Sequence, residues 1–439
     1  MIWLLFILLC FFTHINFKIS GLDLFNPAVV VSGVFAIFSF LCCLANIFIG
    51  IDINNITTII TICTGIFIFT IINYVRPCKY EKFIIENQKK YSTLSIGIIG
   101  YIGILIIIAA IYVNYSYIMA VAAAYGVGSD FFESMVKYKI ITTFHTTDNL
   151  VPSPWYRGLL NVMAASWAYF CIYLFMQNKI LNNDYSVLYG LSILLYIVYS
   201  LMGGGRSETF RIITAIMFMW YLFFRSSRKE RFNTKFVLTR LVIIISIVSF
   251  LFIGFVYAVG RSQADMDFEA VIMAVFIYAG APIFNLDIFL DNPWKATNGI
   301  WGEMTFIRLI NWLGVKFDIP SWGYELDLPF LSYQNYGLGN VYTTFYAFLY
   351  DFGYVGVIVL TGVMALVCAF IYNRVKHANV LSNKISFTAI CYAYLVNDII
   401  MLPFSNRFYE NIVNVGALYK VLVVYTMVYI ANRLLDNKT

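Results

Sequence analysis

"FEAVIMAVFIYAGAPIFNLDIFL", residues 268–290, decides how this chain is threaded through a membrane. The stretch is long and apolar enough to cross a bilayer, whose hydrocarbon core takes about 20 residues of helix. Counting it as a span throws the basic loop "RSSRKERFNTK" (225–235) outside, against the bias of Lys and Arg toward the cytoplasm. Pro282 and Asp287 also interrupt it. The reading adopted is a re-entrant or interface-lying helix pair, which is tolerated where backbone lines a protein cavity.

The rest of the composition leaves little room for a soluble domain. Of 439 residues, 61% are hydrophobic and 12% charged, and the mean hydropathy is +0.79. Soluble domains carry roughly a quarter charged residues. No long basic, Pro-rich or Gly/Ser-rich tract occurs, so nucleic-acid partners and disordered linkers are not expected. Apolar runs predict spans near 1–17, 28–50, 56–75, 92–113, 157–177, 185–202, 209–224, 237–258, 352–373, 384–402 and 411–432. Residues 1–17 lack a basic n-region and an A-x-A-like cleavage site, so they read as a retained helix. The expected fold is an all-α polytopic membrane protein: one domain over 1–439, about eleven (ten to twelve) transmembrane helices, and a large outer loop at 259–351. Within that loop, residues 303–316 read as an amphipathic surface helix.

Orientation follows from charge. The basic clusters at 76–90, 225–235 and 374–384 fall on one side, placed in the cytoplasm with the C-terminus. Segments 125–156, 203–208, 259–351 and 403–410 then face outward. The eight cysteines form no spaced metal motif and there are three histidines, so neither a metal centre nor a disulfide-stapled module is expected.

The 259–351 loop holds 20 aromatic residues, Trp301 among them, and ten carboxylates against four basic residues. Aromatic faces stack on sugars and carboxylates accept from sugar hydroxyls, which describes a glycan groove. An aromatic belt at the membrane interface is the competing reading of the same residues. The outer arginines Arg157, Arg206, Arg211, Arg261, Arg308 and Arg407 go against the positive-inside bias. Arg157 and Arg211 read as headgroup snorkels, and Arg211 can pair with Glu208 at i, i+3. Arg206, Arg261 and Arg308 are candidates for an anion, because guanidinium binds phosphate bidentately. Gly203–Gly205 strengthen the case for Arg206 by letting backbone N–H groups approach an anion at a helix start. Asp398 and Lys420, inside predicted spans, read as a structural pair.

Two stretches resemble the bacterial O-antigen polymerases, the Wzy-type oligosaccharide repeat-unit polymerases. They are "GGGRSETFRIITAI" (203–216) and "GLGNVYTTFYAFLYDFGYVGVIV" (337–359), and the span count and late outer loop match as well. The resemblance implies a GT-C-like membrane glycosyltransferase needing neither metal nor cofactor. It would move a growing glycan from undecaprenyl diphosphate onto the next lipid-linked repeat unit, at the periplasmic face of a bacterial inner membrane. The partners implied are the donor and acceptor lipid-linked glycans, membrane lipids and a protein controlling chain length. By matched position it marks Arg206, Asn340, Tyr342 and Asp351, with Asp351 one of several candidate bases. Arg261 and Arg308 join them from their place in the loop, and Arg407 from the outer turn "PFSNRFYEN". Trp301 and Glu303 are further expected substrate contacts. An arginine eleven residues before a glycine, found in outer loops of some members, is not matched. An O-antigen ligase is less favoured, because residues 259–351 contain no histidine. A lipid-linked oligosaccharide flippase is the alternative from another class, and it predicts cations along the interior of several spans.

Overall fold

The computed structural model describes residues 1–75, 97–128, 130–144, 151–205, 207–227, 236, 239–240, 243, 268–294, 300–319, 322, 328–333, 336–382 and 384–436. Its elements begin with α1 (Ile2–Ile19), α2 (Pro27–Ile49), α3 (Ile56–Tyr74), α4 (Gly97–Ala124), α5 (Phe131–Phe144), α6 (Trp155–Asn182), α7 (Val187–Leu201) and α8 (Ser207–Ser227). They continue with α9 (Phe268–Asp291), α10 (Ile307–Phe317), β1 (Leu331–Tyr333), β2 (Tyr336–Gly339), α11 (Thr344–His377), α12 (Phe387–Ile400), α13 (Arg407–Ile412) and α14 (Val415–Asp436).

The protein is helical and polytopic. Among the described residues, eight helices are long and apolar enough to cross a membrane: α1, α2, α3, α4, α6, α8, α11 and α14. The expected spans at 185–202 and 384–402 are the shorter apolar helices α7 and α12. The one expected at 237–258 lies outside the described residues except for 239–240 and 243. The chain packs into two compact units, one of residues 1–78, 262–373 and 398–414, the other of 79–261, 374–397 and 415–439.

In the first unit, local sequence sets the helix ends. Asn26 accepts from the Ala28 N–H at 3.1 Å with Pro27 in the first turn, which starts α2. Gly50 stops it at φ 78°. Asn55 caps α3 through the Thr57 N–H at 2.9 Å. The buried Asn16 of α1 ties three helices at once, donating at 3.2 Å to the Ala28 carbonyl, the Ser32 hydroxyl and the Thr70 hydroxyl.

Here the expectation for 268–290 needs correction. The segment is one continuous 24-residue helix, α9, and neither Pro282 nor Asp287 divides it into a pair. Proline removes one intrahelical hydrogen bond, and packing against α2 outweighs that loss. Gly280 makes the approach possible: a Cβ there would sit 3.2 Å from the Cys42 sulfur and 3.5 Å from its Cα. Asp287 has a positive task. Its carboxylate accepts from the Asn54 N–H (2.8 Å), the Asn55 N–H (3.2 Å) and the Thr58 hydroxyl (2.6 Å), and so caps the start of α3. The amphipathic reading of 303–316 agrees with α10, which buries Ile307, Ile310 and Gly314 on one side. Strands β1 and β2 form an antiparallel hairpin pairing Leu331 with Gly339 and Tyr333 with Tyr336.

In the second unit α6 is the central post, packed by α4, α7, α8 and α14. Gly103 of α4 receives the Trp167 indole so closely that a Cβ would lie 2.0 Å from the ring. That indole donates to the Ser192 hydroxyl of α7 at 3.2 Å. Arg157 is held, and its snorkel reading needs correction. Its guanidinium donates to Asn114 (2.8 and 3.1 Å) and to the Tyr138 hydroxyl (2.9 Å), and lies 4.2 Å from the Tyr117 ring centre.

Candidate functional site

The "YDFGYVG" stretch (350–356) organises the first unit. Helix α11 breaks inside it, because Gly353 has φ 63° and ψ −154°, a region essentially restricted to glycine. Three residues later, a Cβ on Gly356 would stand 2.6 Å from the Phe348 carbonyl oxygen. The two glycines therefore let the second half of α11 start against the end of the first.

Asp351 sits just before this break and faces the turn at 301–305. Its two oxygens accept from the Met304 N–H (3.2 Å) and the Thr305 N–H (2.6 Å). Beside it, the Tyr350 hydroxyl donates to the buried Glu303 at 2.7 Å. A third segment closes the knot. Asn406 donates to the Thr305 carbonyl at 3.0 Å and accepts from the Thr344 hydroxyl at 3.4 Å, while the Thr344 N–H donates to the Leu402 carbonyl at 2.9 Å. Residues 301–305, 344–351 and 402–406 are thus joined by hydrogen bonds between buried and partly buried groups, where polar atoms need partners.

This knot positions the cationic candidates of the unit. Arg308, in the first turn of α10, is exposed and donates to the Asn411 side-chain amide oxygen at 2.9 Å. The Asn411 amide donates in turn to the Asp398 carboxylate at 2.6 Å, with both of those residues buried. Guanidinium has five N–H donors, so most of the Arg308 headgroup remains available to an outside acceptor. Arg407 is partly exposed and pairs with Glu410 at 3.1 Å. Its Nε is buried with no hydrogen-bond partner among the described residues. Trp301 is 79% exposed, with Phe352 edge-on at 4.8 Å.

Tyr342 and Asn340 stand elsewhere in the same unit. Asn340 is in the turn after β2. Tyr342 is buried, donates to the Pro329 carbonyl at 2.8 Å and stacks on Tyr346 with ring centres 4.4 Å apart. Trp294, Phe289 and Tyr350 continue this aromatic column. The Asn285 amide holds the Val341 carbonyl at 2.8 Å. Most aromatics of 337–351 are therefore core, and Trp301 is the one of the marked aromatics that offers a face to solvent. Arg206 and Arg261 lie outside the described residues.

Sequence reasoning passed over Asn285, Thr305, Asn406 and Asn411, which connect the marked residues. An uncharged amide between apolar runs gives little signal by itself, although two of the four lie in the turn from which Arg407 was chosen. Asp398 accepts from the Asn411 amide at 2.6 Å, and Lys420 donates to the Tyr394 hydroxyl at 2.7 Å. Arg211 departs from the snorkel reading. It does bond Glu208 at 2.9 Å, yet it is 3% exposed and also donates to the Tyr394 hydroxyl at 2.9 Å.

Chemically, the first unit offers an exposed guanidinium with a fixed anchor, a second half-exposed guanidinium and an exposed indole beside a rigid turn. Such a surface can hold an oxyanion and the face of a sugar. Comparison with protein-family models, with curated proteins and with solved structures gives no match to this chain.

Proposed function

We propose that the protein is a membrane glycosyltransferase that polymerises lipid-linked oligosaccharide repeat units, releasing undecaprenyl diphosphate at the periplasmic face. What supports the reading is the resemblance of 203–216 and 337–359 to the O-antigen polymerases, together with one observation. In the second stretch, Asp351 grips the turn that carries Trp301 and leads into Arg308. In this reading the exposed guanidiniums stabilise charge growing on the diphosphate leaving group, an electrostatic role. Trp301 stacks on a sugar of the acceptor or donor. Asp351 is a positioning residue, because both of its oxygens are engaged by backbone N–H groups. Arg206 keeps its expected role as a phosphate ligand.

The test is cellular. With the gene deleted, surface lipid should carry a single repeat unit, whereas loss of a flippase leaves no surface repeat. Complementation with Arg206→Ala or Arg308→Ala should leave single-unit product at normal protein levels. Long-chain polysaccharide from both variants would sink the phosphate role.

A further inference from the structure

We propose that α10 is an interfacial anchor, whose side turned away from the protein lies in the headgroup boundary of the bilayer. The helix buries Ile307, Ile310 and Gly314 against the protein. Around the rest of its circumference, Trp312, Val315 and Phe317 are 42%, 81% and 65% exposed, and Leu309 and Leu313 are half-buried. Of its 11 residues only Arg308, Asn311 and Lys316 are polar. A helix that is apolar nearly all round is normally enclosed. The protein encloses α10 on one side alone, so another apolar phase must cover the rest. The helix rises about 16 Å, half of the roughly 30 Å of a hydrocarbon core, and is too short to cross it. It can lie along the boundary instead. Its two charges are both cations, one near each end, and its outer side carries a tryptophan, as helices that lie in an interface do.

The place of α10 in its unit points to the same partner. Asp351 fixes the turn that leads into the helix, and Phe306, its N-cap residue, meets the Phe352 ring with centres 6.4 Å apart. Just past that ring, α11 resumes after Gly353 as an apolar helix long enough to cross a membrane. Its exposed Val355, Val359, Val363 and Leu366 recur at helical spacing as one outward stripe. The start of α10 is therefore level with the start of the lipid-facing surface of α11. A second copy of the chain fits the exposed side less well. With about 150–250 Å² for a whole aromatic side chain, that side offers roughly 300 Å², against about 800 Å² per partner in a stable protein interface. Trp312, Val315 and Phe317 have no part in the transferase reading above, and the surface stands or falls without it.

The experiment uses the full chain in phosphatidylcholine vesicles, with the photo-crosslinking residue p-benzoylphenylalanine at one position at a time. The positions are Val315, Val355 as the lipid-facing reference and Lys384 as the polar reference; all three are exposed, so the probe fits without repacking. After irradiation, mass spectrometry reads what each position has captured. Phospholipid adducts at Val315 should form about as well as at Val355 and about fivefold better than at Lys384. A second measurement needs no probe. The emission lost in Trp312→Phe, taken as the difference from wild type, reports Trp312 alone. It should be blue-shifted, and phosphatidylcholine brominated along its chains should quench it about twofold or more. A lipid yield at Val315 no higher than at Lys384 overturns the anchor, and so does capture mainly of a second copy of the chain. Trp312 emission that the brominated lipid leaves unquenched overturns it as well.

Discussion

Replacing Asp351 by Asn separates a carboxylate that grips backbone from one that does chemistry. The native side chain accepts one backbone N–H on each oxygen, from Met304 and Thr305. Asparagine keeps one carbonyl acceptor and turns an NH2 group toward the other N–H. One charge-assisted bond is therefore lost outright and the second becomes neutral. A hydrogen bond to a charged group contributes roughly 1.5–3 kcal/mol, and a buried donor left without an acceptor costs about 1–3 kcal/mol. The expected loss is about 2–3 kcal/mol after local relaxation. Taking about 2–4 °C per kcal/mol for a unit of 150–250 residues, the Tm should fall by roughly 5–10 °C. The assay is thermal unfolding of the purified chain, run beside Asp351→Glu as a second carboxylate and Asp436→Asn, at the exposed end of α14 in the second unit, as a control. Activity should fall in step with stability and recover at lower temperature. An Asp351→Asn protein with wild-type Tm and no transfer activity at any temperature would refute the positioning role and restore Asp351 as a base.

Gly353→Ala should destabilise by about 1–3 kcal/mol, because the ε region excludes a Cβ, and a Tm unchanged within error would contradict the break in α11. Asp287→Ala should loosen the start of α3, since two backbone N–H groups and the Thr58 hydroxyl lose their acceptor; amide exchange at 54–58 should quicken while exchange in α6 stays unchanged. Gly103→Val should displace the Trp167 indole from its seat on α4; near-ultraviolet circular dichroism reads this directly, and an unaltered spectrum with unaltered Tm would contradict the packing. Arg308→Lys should impair transfer nearly as much as Arg308→Ala, because an ammonium does not reproduce the fork that binds phosphate bidentately. Full activity in the lysine variant would mean that charge alone suffices.

Much of the fold was legible because a bilayer imposes one strong rule, a long apolar helix per crossing. The helices at 27–49, 56–74 and 207–227 fall within a few residues of the runs that predicted them. The 268–290 stretch was misread because Pro282 and Asp287 are local breakers by propensity. Tertiary partners reverse both: Gly280 admits Cys42, and the start of α3 supplies donors for Asp287. The site was legible in part for a related reason. Motif position pointed to Asp351, and the turn at 402–411 was noticed for Arg407. What Asp351 does depends on the Met304 and Thr305 N–H groups some 46 residues away in sequence, and no spacing rule reports that. Arg211 shows the same limit from the other side. Its pairing with Glu208 is local and was foreseen, whereas Tyr394, 183 residues on, was not.

Transfer between lipid-linked repeat units is the activity to be measured. The most direct measurement reconstitutes the purified chain in proteoliposomes with undecaprenyl-diphosphate-linked repeat units and resolves the products by length. A polymerase should give a ladder of two or more repeats with release of undecaprenyl diphosphate, and single-repeat material only with Arg206→Ala. Wild-type protein that leaves the lipid-linked unit unextended, or merely moves it across the bilayer, would contradict the claim.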